Sequence, residues 1–225
     1  MTLQHVDILF QLIVFLFAIS IHESAHAWMA NRCGDPTARM LGRISLNPIR
    51  HIDPVGTVLL PLIALVTHFP MLGWAKPTPV DPRNFKNLVW DDILTTLAGP
   101  ASNFIVATSA AILLAAIALV APGGRPAVGS VLNGLIFSDS LLVPVSLFLY
   151  ELMEINIVLG VFNLIPVPPL DGSHVLRHFL SENLRRAYDT MGIFGLIALV
   201  YLGGGLLRAL ILPVLDLYRS ILLKV

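Results

Sequence analysis

The chain has a single cysteine, Cys33, and little charge: Asp, Glu, Lys and Arg make up 12% of its 225 residues, against roughly 25% in an ordinary soluble domain. One cysteine excludes an internal disulfide framework and leaves the redox compartment open. Near a helix end it reads as a small core residue rather than a metal ligand. The net charge is zero and no long basic run occurs, which excludes a nucleic-acid surface and a polybasic lipid-binding tail. The first seven residues contain no Lys or Arg, and the first apolar run ends in His22-Glu23 rather than in a small-residue cleavage site. That run therefore reads as a retained span and not as a signal peptide.

What is abundant is apolar surface. Hydrophobic residues account for 56% of the chain and the mean hydropathy is +0.82, with several runs long enough to cross a hydrocarbon core of about 30 Å. The fold class this implies is an all-α polytopic membrane protein whose solvent is the lipid bilayer, with residues 1–225 forming one domain. Residues 6–29, 88–120, 141–164 and 191–215 read as four full transmembrane helices. Residues 55–69 are apolar too, but Pro54, Pro61 and Pro70 bound and interrupt them and they fall short of the ~20 residues of a full span, which predicts a re-entrant segment. Gly and Pro punctuate residues 31–53, where an irregular connection with short membrane-associated strands in 40–55 is expected. Residues 121–139 form a short connection, and 174–189 read as a polar surface helix. A core over about 6–180 is followed by the accessory span 191–215, whose Gly203, Gly204 and Gly205 suit close packing in the bundle.

Polar residues inside the first span need a reason. His22-Glu23-Ser24-Ala25-His26 is the pattern His-Glu-x-x-His, in which helix geometry sets residues i and i+4 one turn apart on one face, so two imidazoles converge on one ion. Glu23 lies about 100° round the helix from His22 and can reach a water on that ion as general base without ligating it. Left unpaired, each of these ionisable groups would cost on the order of 2–3 kcal/mol at the bilayer centre, a cost that a bound metal largely removes. Catalytic zinc takes three protein ligands and keeps a position for water, so a third donor is required. Asp171, in Pro169-Leu170-Asp171-Gly172, is the candidate, because rigid non-helical backbone at membrane depth is tolerated where it lines a cavity. The competing role for Asp171 is a cap for the helix that follows, and Glu151 and Glu154 are the alternative ligands.

Topology gives an independent check. If the first span runs inward, His22 and His26 sit near its cytoplasmic end, and Arg32, Arg39, Arg43 and Arg50 face the cytoplasm as the positive-inside rule asks. Asp171 reaches the same membrane face only if 141–164 also runs inward and 88–120 outward, and then 55–69 cannot cross. Lys76, Arg83, Lys86, Arg177, Arg185 and Arg186 fall on the cytoplasmic side under the same solution. It also brings Asn103 and Asn163 to the level of the metal, where an amide either stabilises the oxyanion of peptide cleavage or bonds to a neighbouring helix.

With these residues in order, the chain resembles the site-2 protease family of intramembrane zinc metalloproteases. The resemblance rests on His22-Glu23-x-x-His26, Gly99-Pro100-x-x-Asn103 and Asn163-x-x-Pro166-x-Pro168-x-Leu170-Asp171-Gly172. Gly42-Arg43-Ile44-Ser45-Leu46-Asn47-Pro48, His51-Ile52-Asp53-Pro54-x-Gly56-Thr57 and Gly73-Trp74-Ala75-Lys76-Pro77 are similar to the compact bacterial members. It implies one zinc ion per chain held by His22, His26 and Asp171, Glu23 as the base, and Asn163 and Asn103 as substrate or transition-state contacts. It further implies cleavage of transmembrane helices of other membrane proteins in a bacterial inner membrane, toward its cytoplasmic face. The connection 121–139 is too short to hold the periplasmic PDZ-type domain that many members carry. An exposed backbone edge in 42–48 is expected to receive an unwound substrate by strand addition. The rival function is a membrane transporter of metal or small solutes, which also places His, Asp and Glu within the bilayer.

Overall fold

The computed structural model describes residues 3–59, 75–134 and 140–225. Helix α1, Leu3–Cys33, is followed by the one-turn α2, Thr37–Met40, and an irregular stretch. Then come α3, Leu88–Val120, α4, Gly124–Leu132, and α5, Leu142–Asn163. The chain ends in α6, Asp171–Arg177, α7, Glu182–Leu202, and α8, Gly204–Leu222. Of the expected re-entrant run 55–69, Pro54–Leu59 forms a π-helical turn, and the remainder lies outside the described residues.

Among the described residues, three helices, within α1, α3 and α5, are long and apolar enough to cross a membrane, or four if the bent pair α7 and α8 makes one span. The last span expected at 191–215 is therefore not a straight helix. The chain breaks at Gly203, where the two legs meet at 78°. A methyl group there would lie 2.4 Å from the Leu199 carbonyl oxygen, so the turn requires glycine. The polar helix expected at 174–189 is likewise divided, between α6 and the first turns of α7.

The chain packs as two compact units, one of Met1–Ala18 with Pro100–Val225 and one of Ile19–Gly99. In the larger, Ala107, Ala110, Leu114 and Ala118 of α3 recur at helical spacing and are buried with Val128, Val131, Leu147, Met153, Ile157 and Leu215. Small alanines at that spacing permit close helix approach where lipid offers no hydrophobic drive. Away from that stripe, Ile105, Ile112 and Leu119, seven residues apart and so on one face, are 62–67% exposed, a face suited to lipid rather than water. Arg219 of α8 pairs with Glu154 at 3.2 Å and donates to the Tyr150 hydroxyl, which ties α8 to α5.

In the smaller unit, α3 begins where Asn87 Oδ1 accepts the Trp90 N–H and the Asp91 carboxylate reaches back to the Asn87 N–H, a reciprocal cap. No strand occurs among the described residues, and those expected in 40–55 are replaced by turns and the 3-10 turn Pro48–Arg50. The reason is where the backbone donors go. The Arg43 N–H bonds to the Ala38 carbonyl, that of Ser45 to Ser24 Oγ at 2.7 Å, and that of Asn47 to Ser45 Oγ. Gly42, at φ +67°, turns the chain out of extended geometry. The edge expected to receive substrate by strand addition is accordingly not a strand.

Candidate metal centre

Helix α1 sets His22 and His26 one turn apart, both buried, with Nε2 atoms 3.0 Å apart and rings edge to face at 86°. His26 Nδ1 lies 2.7 Å from the backbone carbonyl of Thr95. A carbonyl only accepts, so Nδ1 carries the hydrogen and Nε2 of the neutral ring carries the lone pair. Anchoring one ring nitrogen to orient the other is how metal-ligating histidines are held. Two ring nitrogens aimed at one spot need a proton or a cation between them, and the donor chemistry fits zinc. Gly99 of α3 closes over this pair. A methyl group there would lie 2.3 Å from His26 Nε2 and 2.7 Å from His22 Cε1, which gives the glycine of Gly99-Pro100-x-x-Asn103 its physical reason.

Glu23 is gripped by Thr78, a residue with no motif of its own in the sequence. Its Oε2 accepts the Thr78 N–H at 2.9 Å and the Thr78 hydroxyl at 2.7 Å. Thr78 sits on an extended strap, residues 75–81, that Arg43 holds from below: its buried guanidinium donates to the carbonyls of Arg50, Lys76 and Pro77. The far end of the strap is fixed by Asp35, which is fully buried and accepts from the Thr37 N–H and hydroxyl, the Asp81 N–H and the Asn84 amide. Burial alone would raise the Asp35 carboxyl, but these four donors outweigh it and hold it below the usual carboxylate range.

In the larger unit, Asp171 opens α6 at its first helical position, and Leu170 occupies the cap position. A methyl group on Gly172 would lie 2.2 Å from the Leu164 carbonyl oxygen, so glycine lets the chain fold back tightly on the end of α5 and fixes where Asp171 stands. The alternative ligand Glu154 is engaged by Arg219. Asn103 is fully buried and donates to Asn156 Oδ1 at 2.8 Å, and Asn156 donates to the Leu152 carbonyl. Asn163 donates back to the Leu159 carbonyl of its own helix at 3.0 Å.

The chain matches the family model for peptidase family M50 over residues 10–202. It is 34% identical over 213 residues to YwhC of Bacillus subtilis (strain 168), which carries a zinc metalloprotease name, covering 94% of this chain and 88% of that protein. It is 27% identical over 191 residues to Rip2 of Mycolicibacterium smegmatis, also named as a zinc metalloprotease, covering 84% of this chain and 64% of that one. To the regulator of sigma-E protease RseP of Escherichia coli (strain K12) it is 33% identical over 131 residues, covering 56% of this chain and 29% of the longer protein. No solved structure matches it.

Proposed function

The chain belongs to peptidase family M50 as an intramembrane zinc metalloprotease of the site-2 type, and we propose that His22, His26 and Asp171 are its metal ligands and Glu23 its general base. The observation that carries this is the buried pair of Nε2 atoms 3.0 Å apart with His26 fixed through Thr95, set beside a carboxylate one residue along. One zinc ion per chain is the stoichiometry this ligand set supports.

Zinc bound there supplies Lewis acidity toward a peptide carbonyl and acidifies a water molecule. His22 and His26 bring neutral imidazole nitrogens on a helix that cannot swing. Asp171 brings a negative charge, which lowers the cost of a dication at membrane depth. Glu23 takes a proton from the attacking water and returns it to the departing amine nitrogen, a transfer typically worth 10²–10⁴ in rate. Asn163 and Asn103 are proposed contacts to the substrate or the developing oxyanion. Family membership supports membrane-protein substrates. That the scissile bond lies in a transmembrane helix of a bacterial inner-membrane protein is supported by the family and its RseP relative, and its place near the cytoplasmic face by the arginine and lysine distribution.

Asp171→Asn keeps the shape of the side chain and removes its charge. Its zinc affinity is expected to fall by more than the roughly 10- to 100-fold that losing an outer contact costs, measured by competition with a chromophoric chelator in detergent. Unchanged affinity would remove Asp171 from the ligand set and turn attention to Glu151.

A further inference from the structure

The strap at residues 75–81 is defined by its residue types before any tertiary contact forms. Pro77 and Pro79 have no N–H and hold their own φ near −65°, and a residue preceding a proline is confined to extended backbone. Thr78 is flanked on both sides, so it supplies the single N–H of Pro77-Thr78-Pro79, and that N–H donates to the Glu23 carboxylate. The Thr78 hydroxyl reaches the same oxygen, Oε2. The strap is held at both ends. Arg43 donates to the carbonyls of Lys76 and Pro77, the latter at 2.8 Å, and the Lys76 N–H donates to the His51 carbonyl at 2.8 Å. At the other end the Asp81 N–H donates to Asp35 at 2.8 Å.

We propose that Thr78 is a positioning residue for Glu23, and that the Arg43-braced strap exists to present it. This rests on Glu23 being the general base. A glutamate side chain has three rotatable bonds, and a base must stay within hydrogen-bond reach of the water it deprotonates. Two donors on Oε2, one of them fixed to a proline-locked backbone, remove most of that freedom and leave Oε1 to exchange the proton. Donors to an ionised acceptor make the shorter, stronger class of hydrogen bond. A purely structural reading, in which Thr78 only fastens the strap to α1, gives a different result when the hydroxyl alone is removed.

Thr78→Val is nearly isosteric and keeps the backbone N–H. Cleavage of a reporter transmembrane peptide in detergent, followed at varied substrate concentration, is expected to show kcat lowered by about 10- to 30-fold with KM unchanged, since a loosened base weakens only part of a 10²–10⁴-fold effect. Zinc content stays at that of the unmodified protein, and Thr78→Ser restores kcat to within about threefold. The proposal is overturned if Thr78→Val retains full kcat, if the loss appears in KM, or if Thr78→Ser is as slow as Thr78→Val. Glu23→Gln in the same assay separates the two levels: if it still cleaves, the base assignment itself fails, whereas a dead Glu23→Gln beside a fully active Thr78→Val sinks the positioning role alone.

Discussion

Glu23→Gln retains zinc and loses cleavage: that is the largest kinetic effect expected of a substitution that leaves the metal in place. The glutamine amide has nearly the carboxylate's shape and can keep the Thr78 hydroxyl as a partner through its oxygen, so the local fold survives. Neither of its polar atoms accepts a proton at neutral pH, so transfer from water to the leaving amine has no carrier. Because Glu23 lies off the face that carries His22 and His26, the imidazole pair 3.0 Å apart is unaffected and the metal stays. Turnover is expected to fall by about 10²- to 10⁴-fold, the range that general acid–base catalysis contributes, while zinc per chain by mass spectrometry is unchanged. A transporter of metal or small solutes would instead keep its flux in this variant.

Gly99→Ala is expected to strip the site of metal. The added methyl would stand 2.3 Å and 2.5 Å from His26 Nε2 and Cε1 and 2.7 Å from His22 Cε1, closer than non-bonded carbon and nitrogen approach one another. The rings cannot yield cheaply, because the His26 bond to Thr95 comes from the same helix that would carry the methyl. Relieving the overlap therefore moves both Nε2 atoms off their common point. Alanine is favoured over glycine in a helix by about 0.8–1.0 kcal/mol, so helicity by circular dichroism is preserved or increased. Loss of zinc and of cleavage in a well-folded protein is the expected pair of results. A Gly99→Ala protein with full zinc and full activity would show that the imidazoles do not occupy these positions in the working enzyme.

Much of this was legible in the sequence because the signals are local. The His-Glu-x-x-His spacing needs only helix geometry, and the run 88–120 is bounded by Lys86-Asn87 before it and by Pro122-Gly123-Gly124 after it, which is where α3 starts and stops. Asp171 stood out through its prolines and Gly172. What stayed hidden depends on contacts between residues far apart in the chain. Thr95 offers His26 a backbone carbonyl, which no side-chain pattern records. Thr78 meets Glu23 across 55 positions; the one available signal was a threonine held between two prolines. Residues 40–55 carry strand-like punctuation, but Ser24 and Ala38 take up backbone donors that a ladder would need. The break in 191–215 was present as Gly203-Gly204-Gly205, and reading those glycines as packing residues missed that Gly203 ends one helix and begins the next. The partner of Asn103 proved to be Asn156, a residue with no motif around it.

X-ray absorption at the zinc edge of the purified protein tests the central claim most directly. Two imidazole nitrogens and a carboxylate oxygen are expected within about 2.0–2.2 Å, with no scatterer at the ~2.3 Å of a thiolate, and with the oxygen shell altered in Asp171→Asn. A sulfur shell, which only Cys33 and the methionines could supply, or a spectrum identical in Asp171→Asn, would contradict the ligand set.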